Sequence, residues 1–296
     1  MARYVLAIAV LAVSTAAPLI HYAAPAPALT VAAARVCLTG FLLFLVAPTA
    51  WGHFARLPRR EKVFVIAAGL LLGLHFGVWI TSLYLTSTAA SVALVATQPV
   101  FAALFARALG DSITRREMLG IAVAGLGCLV LGGGDLLTST GWDAVIGDAL
   151  ALIGAAAAAG YLLVGRRMRV SVPLTPYLAL VNMVAGVALL IAALLVGVPF
   201  LGLPDHVYLA IVLVTVIPSL VGHSLLNWSV RRMPTHLVAL AILGEPIGSS
   251  LMTLVFFAEI PPAHAVFGGA VILVGIFVGF VRLIGRSKTA DRQDAG

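Results

Sequence analysis

Residues 56–62, Arg56-Leu57-Pro58-Arg59-Arg60-Glu61-Lys62, run directly into 63–84, VFVIAAGLLLGLHFGVWITSLY, a stretch without one Lys, Arg, Asp or Glu. Crossing a hydrocarbon core of ~30 Å takes ~20 apolar residues, so 63–84 reads as a membrane span entered from a basic loop. Outward from it, the next gap is the uncharged Leu85-Thr86-Ser87, then a second apolar run, then a gap holding Arg107, Arg115 and Arg116. The alternation continues along the chain. Ten runs of spanning length lie near 4–22, 29–48, 63–84, 88–106, 117–134, 145–165, 174–197, 207–229, 235–257 and 263–283. Every second gap is basic: Arg3, the 56–62 cluster, the 107–116 cluster, Arg166 with Arg167 and Arg169, Arg231 with Arg232, and Arg282, Arg286, Lys288 and Arg292. The intervening gaps hold Asp135 and Asp143, Asp205, or Glu259. Of the 18 Lys and Arg residues only Arg35 falls inside a run. Basic loops stay cytoplasmic, so the pattern predicts an all-α polytopic membrane protein of ten transmembrane helices with both termini cytoplasmic.

Composition agrees. The chain is 62% hydrophobic and 10% charged, with mean hydropathy +1.13, whereas a soluble domain carries about 25% charge. The runs are continuous, which excludes the ten-residue alternation of barrel strands. Net charge +7 would suit nucleic acid, but its loop-by-loop placement is explained by topology, and no nucleic-acid partner is expected. Cys37 and Cys128 lie in apolar runs and read as small buried residues, with neither a disulfide nor a metal site expected. Arg3, Val5–Val13 and Ala23–Ala28 have the outline of a cleavable signal peptide. Its removal would leave nine helices and break the repeat described next, so the first helix is expected to be retained.

Internal similarity appears at an offset near 148. His75 pairs with His223, Trp79 with Asn227, Asp111 with Glu259 and Gly120 with Gly268. Over the fourth and ninth runs the offset is 147, and Val92-Ala93-Leu94-Val95-Ala96-Thr97-Gln98-Pro99 aligns with Ala239-Leu240-Ala241-Ile242-Leu243-Gly244-Glu245-Pro246. Five helices per half invert the second half relative to the first. The expected organisation is a first five-helix repeat over 1–141, a second, inverted repeat over 142–286, and a cytoplasmic tail over 287–296. Exchange of conformation between inverted halves turns an outward opening into an inward one.

With these features the chain resembles the drug/metabolite transporter superfamily, EamA type. The likeness spans nearly the whole sequence. It rests on Arg35, on the short hairpin leading into Ala90–Pro99, on Leu109-Gly110-Asp111 followed by Gly120, on the echo Phe257-Ala258-Glu259 followed by Gly268, and on Asp148 to Arg167. The resemblance implies a central cavity and export of amino acids, metabolites or drugs from a bacterial inner membrane. Ser14-Thr15 and Ala157–Ala159 stand where the family often has tryptophan, which argues against an aromatic-specific pocket.

The intramembrane polar residues supply the candidate site. Glu245 lies about ten residues from either end of its run, ~15 Å deep at 1.5 Å per residue, and an acid at that depth is a functional candidate by default. Pro99 and Pro246 cannot donate to Val95 and Ile242, so two carbonyls are released near the midplane. In the third run Gly69, Gly73 and Gly77 form a packing stripe. His75, Trp79 and Ser82 occupy nearly the opposite face. Ser219, His223 and Asn227 share a face of the eighth run, Ser91 and Gln98 of the fourth, Ala241, Glu245 and Ser249 of the ninth, and Ser14, Pro18 and His21 of the first. Together these stripes predict a wet central site built from His75, Trp79, Gln98, His223, Asn227 and Glu245. Arg35, about 10 Å from its helix end, is expected to snorkel to the interface or pair structurally, with direct substrate contact as the alternative. Gly275 and Gly279 suit tight helix packing or a dimer contact, so monomer and homodimer both stand.

No phosphate-binding loop, G-x-S-x-G or H-E-x-x-H is present, so neither direct ATP use nor a familiar hydrolase is indicated, and no cofactor is called for. The expected function is secondary transport of amino acids or similar small amphipathic metabolites by alternating access. A lipid-linked sugar or drug translocase is the alternative; an intramembrane enzyme is the rival from another class. Proton coupling, where it operates, should run through Glu245 with His75 or His223; a facilitator needs none of them to titrate. The topology is checked by single cysteines. Thr140→Cys and Asp205→Cys should react with an impermeant thiol reagent in intact cells and Arg60→Cys should not; external labelling of Arg60→Cys contradicts it.

Overall fold

The computed structural model describes residues 2–108, 110, 114–137, 141–168, 172–230, 242 and 244–280, without the side chains of 2, 3, 106, 135, 166, 167, 227, 230 and 280. Among the described residues there is no strand. The first run is α1 (Ala2–Ser14) and α2 (Ala16–Tyr22), the second α3 (Ala28–Val46). A short helix the sequence reading lacked, α4 (Ala50–Arg56), precedes α5 (Arg59–Ser82). The fourth run is α6 (Thr88–Val95) and α7 (Gln98–Ala108), followed by α8 (Arg115–Leu137), α9 (Gly141–Met168) and α10 (Leu174–Val196). The eighth run is α11 (Asp205–Val214), a π-helical segment Thr215–Gly222, and α12 (His223–Val230). Two further helices, α13 (Gly244–Phe257) and α14 (Ala263–Phe280), end the described chain. Eight spans, from Tyr4–Tyr22 to Asp205–Leu226, are long and apolar enough to cross a membrane; α14 is a shorter apolar helix, and much of the ninth run lies outside the described residues.

Helix breaks follow the prolines. Pro18 cannot donate to Ser14 O, and Ser249 Oγ of α13 donates to it instead at 2.9 Å. Pro218 cannot donate to Val214 O, and Ser219 Oγ does so at 3.0 Å inside the π segment. Before Pro99 the helix stops outright at residues 96–97, where Thr97 Oγ1 donates to Leu94 O at 2.6 Å. A run expected to bend is therefore two helices.

Several of the packing pairs recur when the two halves are exchanged. α5 packs on α9, and the π segment with α12 packs on α1; α5 packs on α10, and the π segment on α3; α6 packs on α9, and α13 on α1. α3 with α10, and α8 with α14, pair across the halves with their own counterparts. These cross-half contacts are close enough to require glycine. A Cβ on Gly120 would sit 2.4 Å from Gly279 Cα, one on Gly275 2.5 Å from Ala124 N, and one on Gly127 2.7 Å from Gly268 O. The Gly275/Gly279 face is thus spent inside the chain on α8. The other stripe meets α10: a Cβ on Gly69 would be 2.4 Å from Val184 Cβ, and one on Gly73 3.2 Å from Ala185 O.

The periphery is apolar, with Leu126, Leu129, Val187, Ile191, Leu195 and Val274 exposed, as a lipid-facing surface requires. In α4 the exposed Trp51 lies beside Phe54, whose ring carries Lys62 Nζ 5.8 Å above its centroid. Amphipathic Trp and Lys side chains of this kind mark the headgroup level. Both cysteines are free and half-buried, in α3 and α8. Gly120→Ala should lower thermal stability in detergent by about 1–3 kcal/mol, because the added methyl meets backbone that cannot yield. Gly125→Ala, with nothing within 4 Å of its Cβ, should be neutral or stabilising by up to about 1 kcal/mol. Equal melting shifts in the two variants contradict the α8–α14 contact.

Candidate functional site

Two adjoining compartments open at the centre of the helices, of about 280 and 300 Å³. Arg35, His75, Phe76, Gln98, Leu162, His223, Ile242 and Glu245 border both, so they form one bipartite cavity. One compartment continues along Thr39, Leu43, Tyr161, Leu178, Asn182, Ser224 and Leu226. The other continues along Val13, Trp79, Val95, Pro99, Pro218 and Pro246. Both halves of the chain contribute. Val95 and Ile242, whose carbonyls the two prolines release, are both in the wall, where non-helical backbone at membrane depth is tolerated.

The expected residues separate by chemistry. His75, Gln98 and Glu245 are half-buried and His223 is open to the cavity. Trp79 is 4% exposed and lines the second compartment. Asn227 belongs to α12, but its side chain lies outside the described residues. Of the serines of the predicted stripes Ser219 lines the cavity, whereas Ser14, Ser82, Ser91 and Ser249 do not. Ser82 Oγ donates to Trp79 O at 2.7 Å and meets Ser91 Oγ at 2.6 Å; Ser14, Ser82, Ser91 and Ser249 are all buried. Hydroxyls in apolar helices commonly bond backbone in this way.

His75 has a fixed tautomer. Its Nδ1 is 2.9 Å from Gly154 O, and a carbonyl only accepts, so Nδ1 carries the hydrogen and Nε2 is left as an acceptor. The ring stacks on Trp79 with centroids 5.9 Å apart and planes at 6°. α9 passes close by, Gly154 lying where a Cβ would be in van der Waals contact with Trp79 Cβ at 3.4 Å.

Of the alternatives expected for Arg35, the structure removes the first. The side chain does not snorkel: it is 1% exposed and borders both compartments. Its Nε donates to Ser219 Oγ at 2.8 Å, and that hydroxyl passes its own hydrogen to Val214 O. The guanidinium carbon lies 4.4 Å from the centroid of Phe76, a cation–π contact, and 6.0 Å from that of Trp79. Ser219 sits 184 positions away and on an element whose register the π segment resets, so no local pattern announced it. Phe76, Tyr161 and Asn182 also escaped the polar-stripe reading, although the aromatic pair Phe76 and Trp79 was visible at helical spacing.

A further contact between the halves lies outside the cavity lining. Glu259 accepts from Thr88 N and Thr88 Oγ1, both at 2.8 Å, so a carboxylate from one half caps the first turn of α6 in the other. Ala258, at φ 53, turns the chain into the left-handed region that directs Glu259 there. His21 Nδ1 is 3.9 Å from Glu259 and its ring is 4.6 Å from Phe257, while Tyr84 OH donates to Ile20 O at 3.3 Å. Asp111, the repeat counterpart of Glu259, lies outside the described residues.

The model of the EamA-like transporter family matches twice, over residues 2–133 and 145–281. The chain belongs to that family. It is therefore a multi-pass membrane protein of a family that transports small molecules, and the double match falls on the two halves between which several packing pairs recur. A protein known from a crystal structure aligns at 22% identity over 94% of this chain and 96% of its own, with a TM-score of 0.64, a likeness of fold. No curated protein matches.

Ser219→Ala tests the Arg35 arrangement. It strands Arg35 Nε, while Val214 O keeps the backbone N–H of Ser219 in the π segment, and an orphaned buried polar group costs about 1–3 kcal/mol. The melting temperature in detergent should fall clearly, whereas Ser224→Ala, at an open position of the cavity wall, should not move it. An unaltered melt in Ser219→Ala contradicts the relay.

Proposed function

We propose that this EamA-family chain is a secondary transporter that exports amino acids or similar small amphipathic metabolites across the bacterial inner membrane. It works by alternating access. Ten helices form two inverted repeats, and both termini are cytoplasmic. The observation that carries the reading is a cavity walled by both halves, and on this reading the bond between the halves, Glu259 to Thr88, closes one end of it. By the basic-gap rule that end is extracellular, and the compartment bordered by Leu43, Leu178 and Leu226 leads toward the cytoplasm. Opening outward requires the Glu259–Thr88 contact to break.

The proposed binding residues are His75, Trp79, Gln98, His223, Asn227 and Glu245. They offer imidazole, indole, amide and carboxylate groups against aliphatic walls, the mix expected of a small-molecule site. A lipid-linked sugar is the second reading, favoured by the presence of Arg35 in the wall. Phosphate recognition normally draws on several Arg or Lys side chains, and among the described residues the cavity presents one.

The access cycle is tested in proteoliposomes. Thr88→Cys with Glu259→Cys, bridged by a short bis-thiosulfonate, should stop amino-acid counterflow, and reduction should restore it; transport that continues through the bridged protein overturns alternating access. Coupling is tested separately by Glu245→Gln. Uptake driven by an imposed pH gradient in the wild type and indifferent to it in the variant assigns Glu245 the proton. Wild-type uptake indifferent to the gradient at every pH makes the protein a facilitator.

A further inference from the structure

We infer that Arg35 and Trp79 form a carboxylate anchor in the cavity, that Glu245 receives the ammonium group, and that the site therefore selects zwitterions. The inference deepens the proposed function, and rests on it, by assigning the recognition chemistry and adding Arg35 to the site.

Two donors are stranded beside the cavity. Arg35 Nη1 and Trp79 Nε1 are both buried without a hydrogen-bond partner. Buried polar groups in native proteins are nearly always satisfied, and each exception calls for an explanation. These two exceptions are neighbours, the Arg35 guanidinium carbon lying 6.0 Å from the Trp79 ring centroid, and both residues border the second compartment. Two adjacent donors without an acceptor are complementary to a ligand bearing two acceptor oxygens.

Charge points the same way. Among the described residues no carboxylate is in ion-pair contact with Arg35, so the cation is buried with aromatic faces and one hydroxyl for company. A buried charge is strongly disfavoured unless something of opposite sign meets it. Glu245 borders the same two compartments, within electrostatic reach of Arg35 but not in contact with it. A simple amine in this cavity would face Arg35, and a simple anion would face Glu245. An α-amino acid answers both charges at once, with its side chain left to Leu72, Leu162 and Phe76. A phosphomonoester would bring two charges to one guanidinium and meet repulsion from Glu245.

The test is equilibrium binding to the full chain in nanodiscs with three probes of one shape: L-leucine, L-leucinamide, which lacks the carboxylate, and N-acetyl-L-leucine, which lacks the ammonium. The wild type should bind L-leucine about ten- to a hundredfold tighter than either analogue, the span expected for one charged hydrogen-bonded contact. Arg35→Gln should abolish the preference over L-leucinamide, Glu245→Gln the preference over N-acetyl-L-leucine, and Trp79→Phe, which keeps the ring, should weaken L-leucine severalfold with L-leucinamide unchanged. Arg35→Lys should keep part of the preference. A merely structural arginine would weaken all three probes together. Equal wild-type affinities for L-leucine and L-leucinamide, or an undiminished ratio in Arg35→Gln or Trp79→Phe, overturn the anchor while leaving an amino-acid transporter intact. Absence of wild-type binding for L-leucine, L-valine, L-methionine and L-phenylalanine alike overturns the amino-acid reading, and the anchor with it.

Discussion

A backbone carbonyl in hydrocarbon must find a hydrogen-bond donor, and most of this structure follows from how the chain meets that requirement after placing prolines in its helices. Pro18, Pro99, Pro218 and Pro246 each release a carbonyl at membrane depth. Ser249 of α13 answers for Ser14, and Ser219 answers for Val214. The carbonyls of Val95 and Ile242 belong to residues of the cavity wall. The first two repairs tie helices together; Val95 and Ile242 fall where the bundle is hollow. The cavity and these two helix breaks are thus one feature, and the wall gains irregular backbone there.

Ser219 links that constraint to the chemistry of the site. Its hydroxyl donates to the carbonyl that Pro218 released and accepts from Arg35 Nε, so the device that repairs α11's continuation also fixes the cavity's cation. Phe76 and Trp79 complete the cradle from α5. α5 itself is held at close range to α10 by Gly69 and Gly73. Small residues therefore set the spacing, and aromatic and charged residues use it.

How much of this was legible in the sequence depended on how local the cause was. Spans and gaps are local, so charge alternation and run length found them, and the glycine stripe of α5 and the Gly275/Gly279 spacing were readable from periodicity. His75, Gln98, His223 and Glu245 were legible because a polar group deep in an apolar run has few tolerable neighbours. Four of the serines misled because a hydroxyl can be satisfied within its own helix or by the next one, as Ser82 and Ser91 are. Arg35 stayed open because a long side chain can reach either the interface or the core, and the choice was made by Ser219 and Phe76 on other helices. The π segment escaped because one inserted residue per turn changes the facing of Ser219 without a composition signal beyond Pro218. The Glu259 cap pairs residues 171 positions apart, and only the fold brings them together.

The central claim is that one cavity, walled by both halves, is reached from one side of the membrane at a time. Its most direct test is the reactivity of Ser224→Cys, on a background of Cys37→Ala and Cys128→Ala, toward a charged impermeant thiol reagent applied to either face of oriented vesicles. With Glu259 and Thr88 intact, the account predicts modification from the cytoplasmic face, slowed by transported solute, with little from the outer face. Equal, solute-independent modification from both faces would mean a continuous pore and would contradict it.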